Sequence, residues 1–96
     1  MKIKFKTWVC EPSWAQYSNG RPALVLVDAD GQRVAVATVN MPEVPLEEGE
    51  VLIKGYAENA GMTDALVEAG IIEPPHRAVP AGWVSADVAR LKVKPE

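Results

Sequence analysis

Two β-rich runs joined by a tight turn constrain this chain more than any other feature of its sequence. The runs form a hairpin over residues 23–39, and Asp30-Gly31 between them supplies the positive φ angles that a short hairpin turn needs. This turn predicts a register with Asp28 opposite Arg33, so that opposite charges face each other. Because both faces of the hairpin are apolar, we expect it at the centre of an antiparallel sheet.

The first ten residues alternate between apolar and charged side chains. We expect one half-buried strand from Lys2 to Cys10, with Lys2, Lys4 and Lys6 on its outer face. Outward lysines are typical of an edge strand, because they discourage pairing with another molecule. Pro12 is expected to interrupt the pairing of this strand.

One segment has the pattern of a helix. Residues 59–69 place apolar side chains at helical spacing, and Asn59 can accept a hydrogen bond from the amides of the first turn. Gly70 is expected to end the helix in a left-handed conformation, which would place Ile71 in contact with Leu66.

The end of the chain is ambiguous. Residues 83–91 fit a strand when they are read with period two, and a helix when Val84, Val88 and Leu91 are read as one stripe. A strand is favoured because β-branched valine suits a sheet better than a helix.

Length and composition support a single folded domain. A chain of 96 residues, 48% of them apolar, can bury one core. The patterns then predict an α+β domain over residues 1–93, mainly an antiparallel sheet of about four to six strands with one helix at 59–69. A flexible tail is expected at 94–96.

Cysteine usage and the length of apolar runs bear on the compartment. Cys10 is the sole cysteine, so no disulfide can form within the chain. The first residues interleave lysine with apolar side chains where a signal peptide needs an unbroken apolar run, and no stretch reaches the roughly 20 apolar residues of a membrane span. We therefore expect a cytoplasmic protein with no membrane contact.

The net charge of −3 is unevenly distributed along the chain. Residues 43–73 hold eight acids and one lysine, whereas the segments on either side are each net basic. An acidic region disfavours direct binding to nucleic acid and favours a basic protein surface, and the alternative is a solvated face without a partner. Five glutamates are candidate partner-binding residues: Glu43, Glu47, Glu48, Glu50 and Glu58.

Residues with catalytic or metal-binding chemistry are few. His76 is the sole histidine and follows two prolines, so we expect it in an exposed loop, and we expect Cys10 to be a small buried apolar residue. No serine lies in a nucleophile-elbow pattern, and no metal-ligand or phosphate-loop spacing occurs. The sequence therefore predicts no catalytic residue, no metal and no cofactor.

Aromatic residues provide a second set of candidate contacts. Trp8 stands on the lysine face of the first strand, where we expect partial exposure, whereas packing is expected for Trp14 and Trp83. If Trp8, Trp14 and Tyr17 share one accessible surface, they form an anchor for a protein partner, because such rings dominate interface energetics.

One stretch of the chain carries a family resemblance. The motif runs Tyr56-Ala57-Glu58-Asn59-Ala60-Gly61-Met62 and is followed by a Gly-Trp strand near the end. With this motif, residues 20–92 resemble a small family of unknown function that is encoded in bacterial genomes, plasmids and prophages. The resemblance implies no reaction. In physical terms Tyr56, Glu58 and Asn59 form a strand-to-helix junction, where a cap is needed.

The lack of a catalytic pattern, the acidic region and the resemblance together predict a non-enzymatic binding protein. We expect a protein of a phage or other mobile element that inhibits a host defence system, of the anti-CRISPR or anti-restriction type, through protein–protein contact. Its partner would be a host protein or a nucleoprotein defence complex. Two alternatives stay open: an accessory or structural protein that self-associates as a homodimer through its sheet edge, and a minor enzyme that uses His76.

Overall fold

The computed structural model describes residues 1–95, which form two antiparallel sheets and one helix. The first sheet has the order β1-β2-β3-β4, and the second has the order β5-β7-β6. The predicted α+β class is therefore confirmed, although there are seven strands in two sheets. The elements are β1 (Ile3–Phe5), β2 (Trp8–Gln16), β3 (Pro22–Val27), β4 (Arg33–Val36), β5 (Glu50–Ile53), a 3-10 turn (Ala57–Asn59), α1 (Met62–Glu68), β6 (Arg77–Ala81) and β7 (Val84–Arg90).

The predicted first strand is in fact a tight hairpin. Phe5 pairs with Trp8 across a two-residue turn, in which Lys6 has a φ of 54°. The turn also changes which residues face the core: in a single strand Cys10 would lie on the face opposite Ile3, but in the hairpin it pairs with Ile3 and is buried, whereas Val9 is exposed. The expectation that this strand lies at a sheet edge is confirmed, since β1 is the outermost strand of its sheet.

Pro12 does not interrupt pairing, which corrects the expectation from the sequence. It lies inside β2, opposite Leu26 of β3. The amide of Ala37 donates to the carbonyl of Leu24, so the backbone N–H and C=O of Leu24 point towards β4. Backbone groups of alternate residues in a strand point to the same side, so those of Leu26 also point towards β4. Pro12 therefore stands where β2 donates nothing to β3, and its missing N–H breaks no bond of the sheet.

The central hairpin forms with a change in register. Leu26 pairs with Ala35 as the turn predicts, but a bulge then sets Val27, and not Asp28, opposite Arg33. Asp28 is used in the loop, where its Oδ1 accepts from the amides of Asp30 and Gln32 at 2.9 Å each. The central placement is only half right, because β3 is internal while β4 forms the other edge of its sheet.

The second sheet confirms one prediction and corrects another. The ambiguous segment near the chain end is strand β7, paired with β5 on one side and with β6 on the other. Strand β6 was not predicted, because its five residues include Pro80 and show no alternation. Trp83 lies in the turn between β6 and β7 and is fully exposed, contrary to the packing expected from the sequence.

The helix is shorter than predicted and begins differently. Asn59 does not cap it: Gly61 occupies the position before the first helical residue, and the Asn59 side chain is buried instead. Asn59 Nδ2 donates to the carbonyl of Val36 at 2.7 Å, which ties the 3-10 turn to β4. The predicted end is confirmed, because Gly70 has a φ of 79° and the amide of Ile71 donates to the carbonyl of Leu66 at 3.0 Å.

One core joins the first sheet, β5 and the helix. Leu24, Leu26, Ile53 and Leu66 are buried in it, and Cys10 is buried there as expected. The amide of Lys54 donates to the carbonyl of Ala37 at 2.8 Å, so backbone bonds also connect the two sheets. Among residues 1–95, no helix combines the length and the apolar character that a bilayer crossing needs.

Candidate functional site

A groove opens between the tip of the β1–β2 hairpin, strand β4 and the segment that leads into the helix. Its volume is about 460 Å³. Four residues that the sequence singles out lie along it, from both the aromatic set and the junction motif. We call it the Trp8 groove, and it is lined by Phe5, Lys6, Trp8, Tyr17, Val34, Ala35, Val36, Thr38, Val39, Asn40, Lys54, Glu58 and Asn59.

Two aromatic side chains of the Trp8 groove differ in how tightly they are held. Trp8 is 47% exposed, as expected, but the expected lysine face is wrong, because Trp8 pairs with Phe5 while Lys4 pairs with Val9. The Tyr17 hydroxyl lies 2.9 Å from Thr38 Oγ1, and the amide of Leu24 donates to the same Thr38 oxygen at 3.1 Å, so Tyr17 is fixed against the sheet. Trp14 does not join them, because it lines a separate depression beside Pro22.

Two residues at or beside the Trp8 groove have unusual backbone angles: Lys6 lines the groove, and Ala57 directly precedes Glu58, which lines it. Lys6 and Ala57 both have a φ of 54°, in the left-handed region that residues with a Cβ rarely adopt. Lys6 Nζ donates to the carbonyl of Glu58, the residue after Ala57, at 2.7 Å. One left-handed residue is thus bonded to the neighbour of the other, and strain of this kind clusters at functional sites in proteins.

Glu58 is also bound by a second lysine. Lys54 Nζ donates to Glu58 Oε2 at 2.5 Å, and the two residues are four positions apart in the sequence. The hydrogen bond from Lys54 lowers the pKa of the Glu58 carboxyl, and the bond to Glu58 raises the pKa of Lys54. The Lys54 ammonium also lies 5.7 Å from the ring centre of Tyr56, so this motif residue supports the lysine.

The five candidate glutamates do not form one acidic surface. Glu50 is only 8% exposed and is therefore a poor contact residue, which corrects the expectation from the sequence. Glu50 Oε1 accepts from the amide of Glu47 at 2.8 Å, and Oε2 lies 2.6 Å from His76 Nε2. The bond from the Glu47 amide lowers the pKa of the Glu50 carboxyl most strongly, and the bond with His76 also lowers it.

Two arginines complete the surroundings of Glu50. Arg77 and Arg90 lie 3.8 Å and 3.9 Å from its carboxylate oxygens. Arg90 also contacts Glu47 at 3.2 Å. We call Glu47, Glu50, His76, Arg77 and Arg90 the Glu50 cluster, and its opposite charges largely compensate one another.

The proline-rich loop at 41–48 is held by arginines through its backbone. Arg21 donates to the carbonyls of Met41 and Val44, at 2.8 Å and 2.5 Å. Arg77 donates to the carbonyl of Pro45 at 2.8 Å, and Arg90 reaches the carbonyl of Glu48 at 3.4 Å. The predicted acidic segment is therefore anchored on basic residues of its own chain, which charge counting along the sequence does not reveal.

His76 is exposed as expected, but it is not isolated. Because the Glu50 carboxyl has a lowered pKa and is ionised near neutral pH, His76 donates to it from Nε2, which leaves Nδ1 as the free acceptor when the ring is neutral. This pair borders a surface depression of about 480 Å³ that Arg77 and Arg90 also line.

The other reactive residue has no such setting. Cys10 is buried, and burial followed by the nearby Asp28 charge raises the pKa of its thiol, so it is a poor nucleophile. Among the residues that the structure describes, no group of three or more His, Cys, Asp and Glu side chains could hold a metal ion.

Several residues of the Trp8 groove and of the Glu50 cluster were not predicted from the sequence. Lys54, Thr38 and the three arginines carry no local signal, because their roles arise from contacts between distant segments. No family model, no curated protein and no solved structure matches this chain. The family resemblance therefore stays a prediction.

Proposed function

We propose that this chain is a non-enzymatic binding protein that contacts a protein partner through the Trp8 groove. The observation that carries the proposal is the half-exposed Trp8 at the edge of a cavity that is also lined by Tyr17, which is fixed by a hydrogen bond. A rigid concave surface with an accessible indole suits an interface anchor, because tryptophan and tyrosine dominate binding energy when a partner covers them.

The acidic residues contribute less than the sequence predicts. Among the described residues, ion pairs involve Glu47, Glu50 and Glu58 but not Glu43 or Glu48. Charges already compensated within the chain attract a basic partner weakly. Contact through the acidic segment is therefore confined to Glu43 and Glu48 in this proposal.

The proposed partner is a host protein or nucleoprotein complex of a bacterial defence system. The family resemblance to proteins of phages and other mobile elements supports this choice, and so does a site built for contact. Inhibition of an anti-CRISPR or anti-restriction type needs only that a surface of the target be covered, and the chain would act in the host cytoplasm.

An interference assay in bacteria tests this function. Cells with an active CRISPR or restriction system are challenged with phage while they express the wild-type chain or Trp8→Ala. We expect the wild type to raise plating efficiency at least about tenfold and Trp8→Ala to lose this effect, since removal of a central anchor often costs about 2 kcal/mol or more of binding.

Val9→Ala is the matched control for the assay. Val9 is the next residue of the same strand, is 53% exposed and lies outside the Trp8 groove. It should protect phage as well as the wild type does. No protection by the wild type against any tested system, at confirmed expression, would contradict the defence role; equal loss in both variants would contradict the role of the groove.

One observation favours a second candidate function. The 2.6 Å contact between His76 and the ionised Glu50 gives the imidazole a defined tautomer beside two arginines, an arrangement that suits a general base acting on an anionic substrate. If the chain is an enzyme, His76→Gln should lose turnover at least about a hundredfold while folding is retained. Unchanged turnover in that variant would remove the enzymatic candidate.

A further inference from the structure

The Trp8 groove carries a positive charge on an acidic protein. Lys6 and Lys54 line it, and Glu58 is the one acid among the described residues that line it. The chain as a whole has a net charge of −3. The groove is thus a local region of opposite sign, which attracts an anionic group.

The two ammonium groups are held in place before any ligand arrives. Lys6 is bound to the main-chain oxygen of Glu58 and Lys54 to its carboxylate, so one residue positions both. An ammonium has three donors, and each of these bonds uses one of them. The other donors of each ammonium can bind a ligand. Because both side chains are already held in place, binding costs less side-chain entropy.

An apolar surface lies beside these cations. The Trp8 indole is half exposed, and the side chains of Val34 and Val36 line the opposite wall from strand β4. A ligand that fits both features carries an acidic group next to an apolar one. A peptide segment offers this combination over the length of the groove.

We propose that the Trp8 groove binds an acidic peptide segment of the partner. A carboxylate side chain contacts Lys6 and Lys54, and a neighbouring apolar side chain packs on Trp8. This inference rests on the proposed binding function and reverses the partner charge that the acidic sequence region suggests. A nucleic acid fits less well, because its regular phosphates require several cations along a groove, whereas this groove is lined by two lysines and one acid.

Selection from a displayed library of random peptides tests the inference on the full chain. The peptides that bind the wild type are sequenced, and the strongest is synthesised for calorimetry. We expect enrichment of Asp or Glu beside aromatic or aliphatic residues. Lys6→Gln should weaken binding about five- to tenfold and reduce its dependence on salt, because one charge-assisted hydrogen bond is lost.

Lys2→Gln serves as the matched control, since Lys2 belongs to the same lysine series, pairs with Glu11 and lies outside the groove. Its affinity should equal that of the wild type. Peptides that require Trp8 but lack acidic residues would overturn the acidic-peptide inference and leave the binding function intact. Peptides whose binding survives Trp8→Ala, or no enriched peptide at all, would overturn both the acidic-peptide inference and the binding function of the groove. A single-stranded oligonucleotide that displaces the peptide would overturn the inference in favour of nucleic acid.

Discussion

The Trp8 groove and the Glu50 cluster use the same kinds of charged residue in opposite ways. In the groove, two lysines bind one exposed residue, Glu58: Lys54 binds its carboxylate, Lys6 binds its main-chain carbonyl, and donors remain for a ligand. In the cluster, two arginines and a histidine surround one buried carboxylate, Glu50, and the arginines also bind loop carbonyls. The difference teaches that the number of charges in a segment says little about its function until the partner of each charge is known.

The largest expected effect tests whether the Glu50 cluster is structural. Glu50→Gln leaves His76, Arg77 and Arg90 without the carboxylate that they surround, and we expect the melting temperature to fall by roughly 8–15 °C. Glu47→Gln is the control, because its side chain is 77% exposed and it should change the melting temperature by less than about 2 °C. Equal melting temperatures for the two variants would show that burial of Glu50 has no special importance.

The dependence of stability on pH sharpens the same contrast. The pKa of Glu50 lies below its ordinary value of 4.5 in the folded protein, so its contribution is present above that value and is lost as the pH falls through the folded pKa. Urea unfolding at pH 6 and pH 3 should show a larger loss of stability on acidification for the wild type than for Glu50→Gln. Parallel losses in the two proteins would contradict this account.

Relief of backbone strain separates folding from binding in the groove. Lys6→Gly and Ala57→Gly both remove a Cβ from a left-handed residue, and each should raise the free energy of unfolding by about 0.5–1 kcal/mol. Only Lys6→Gly removes an ammonium, so only this variant should lose affinity for the selected peptide. Chemical denaturation measures the free energy of unfolding, and calorimetry on the same samples measures peptide affinity. A loss of affinity in Ala57→Gly would show that the strained backbone itself is needed to shape the site.

The smallest effect concerns the other exposed tryptophan. Trp83 lies in the turn between β6 and β7. Its side chain is fully exposed and does not line the Trp8 groove. Trp83→Ser should change the free energy of unfolding by less than about 0.5 kcal/mol and leave peptide binding unchanged. Impaired binding in this variant would mean that the interface extends beyond the Trp8 groove.

Local patterns in the sequence account for much of the fold. The turn at Asp30-Gly31, the Gly70 helix end and the valines of β7 each act within a few residues, and the structure confirms all three elements. Strand β6 and the hairpin at Lys6 escaped prediction for different physical reasons. The first has no alternation. The second has no glycine, asparagine or proline to mark its turn at Lys6-Thr7, so the residues before and after the turn read as one strand.

The candidate site could be predicted only in part. Trp8, Tyr17, Glu58 and Asn59 are candidates from the sequence that line one groove. Asn59 was expected as a cap but joins β4, because the pairing of a side chain with a carbonyl 23 positions away leaves no local trace. The prediction of an acidic contact surface failed for the same reason, since the arginines that bind this segment are distant in the sequence.

The arginine contacts of the 41–48 loop have a consequence for digestion by proteases. This loop has no regular secondary structure and contains three glutamates, so in isolation it would be an obvious substrate for a glutamate-specific protease. Arg21, Arg77 and Arg90 bind four of its carbonyls, which keeps the backbone from entering a protease cleft. Cleavage at these glutamates should therefore follow the rate of global unfolding, and limited digestion should yield either the intact chain or small fragments.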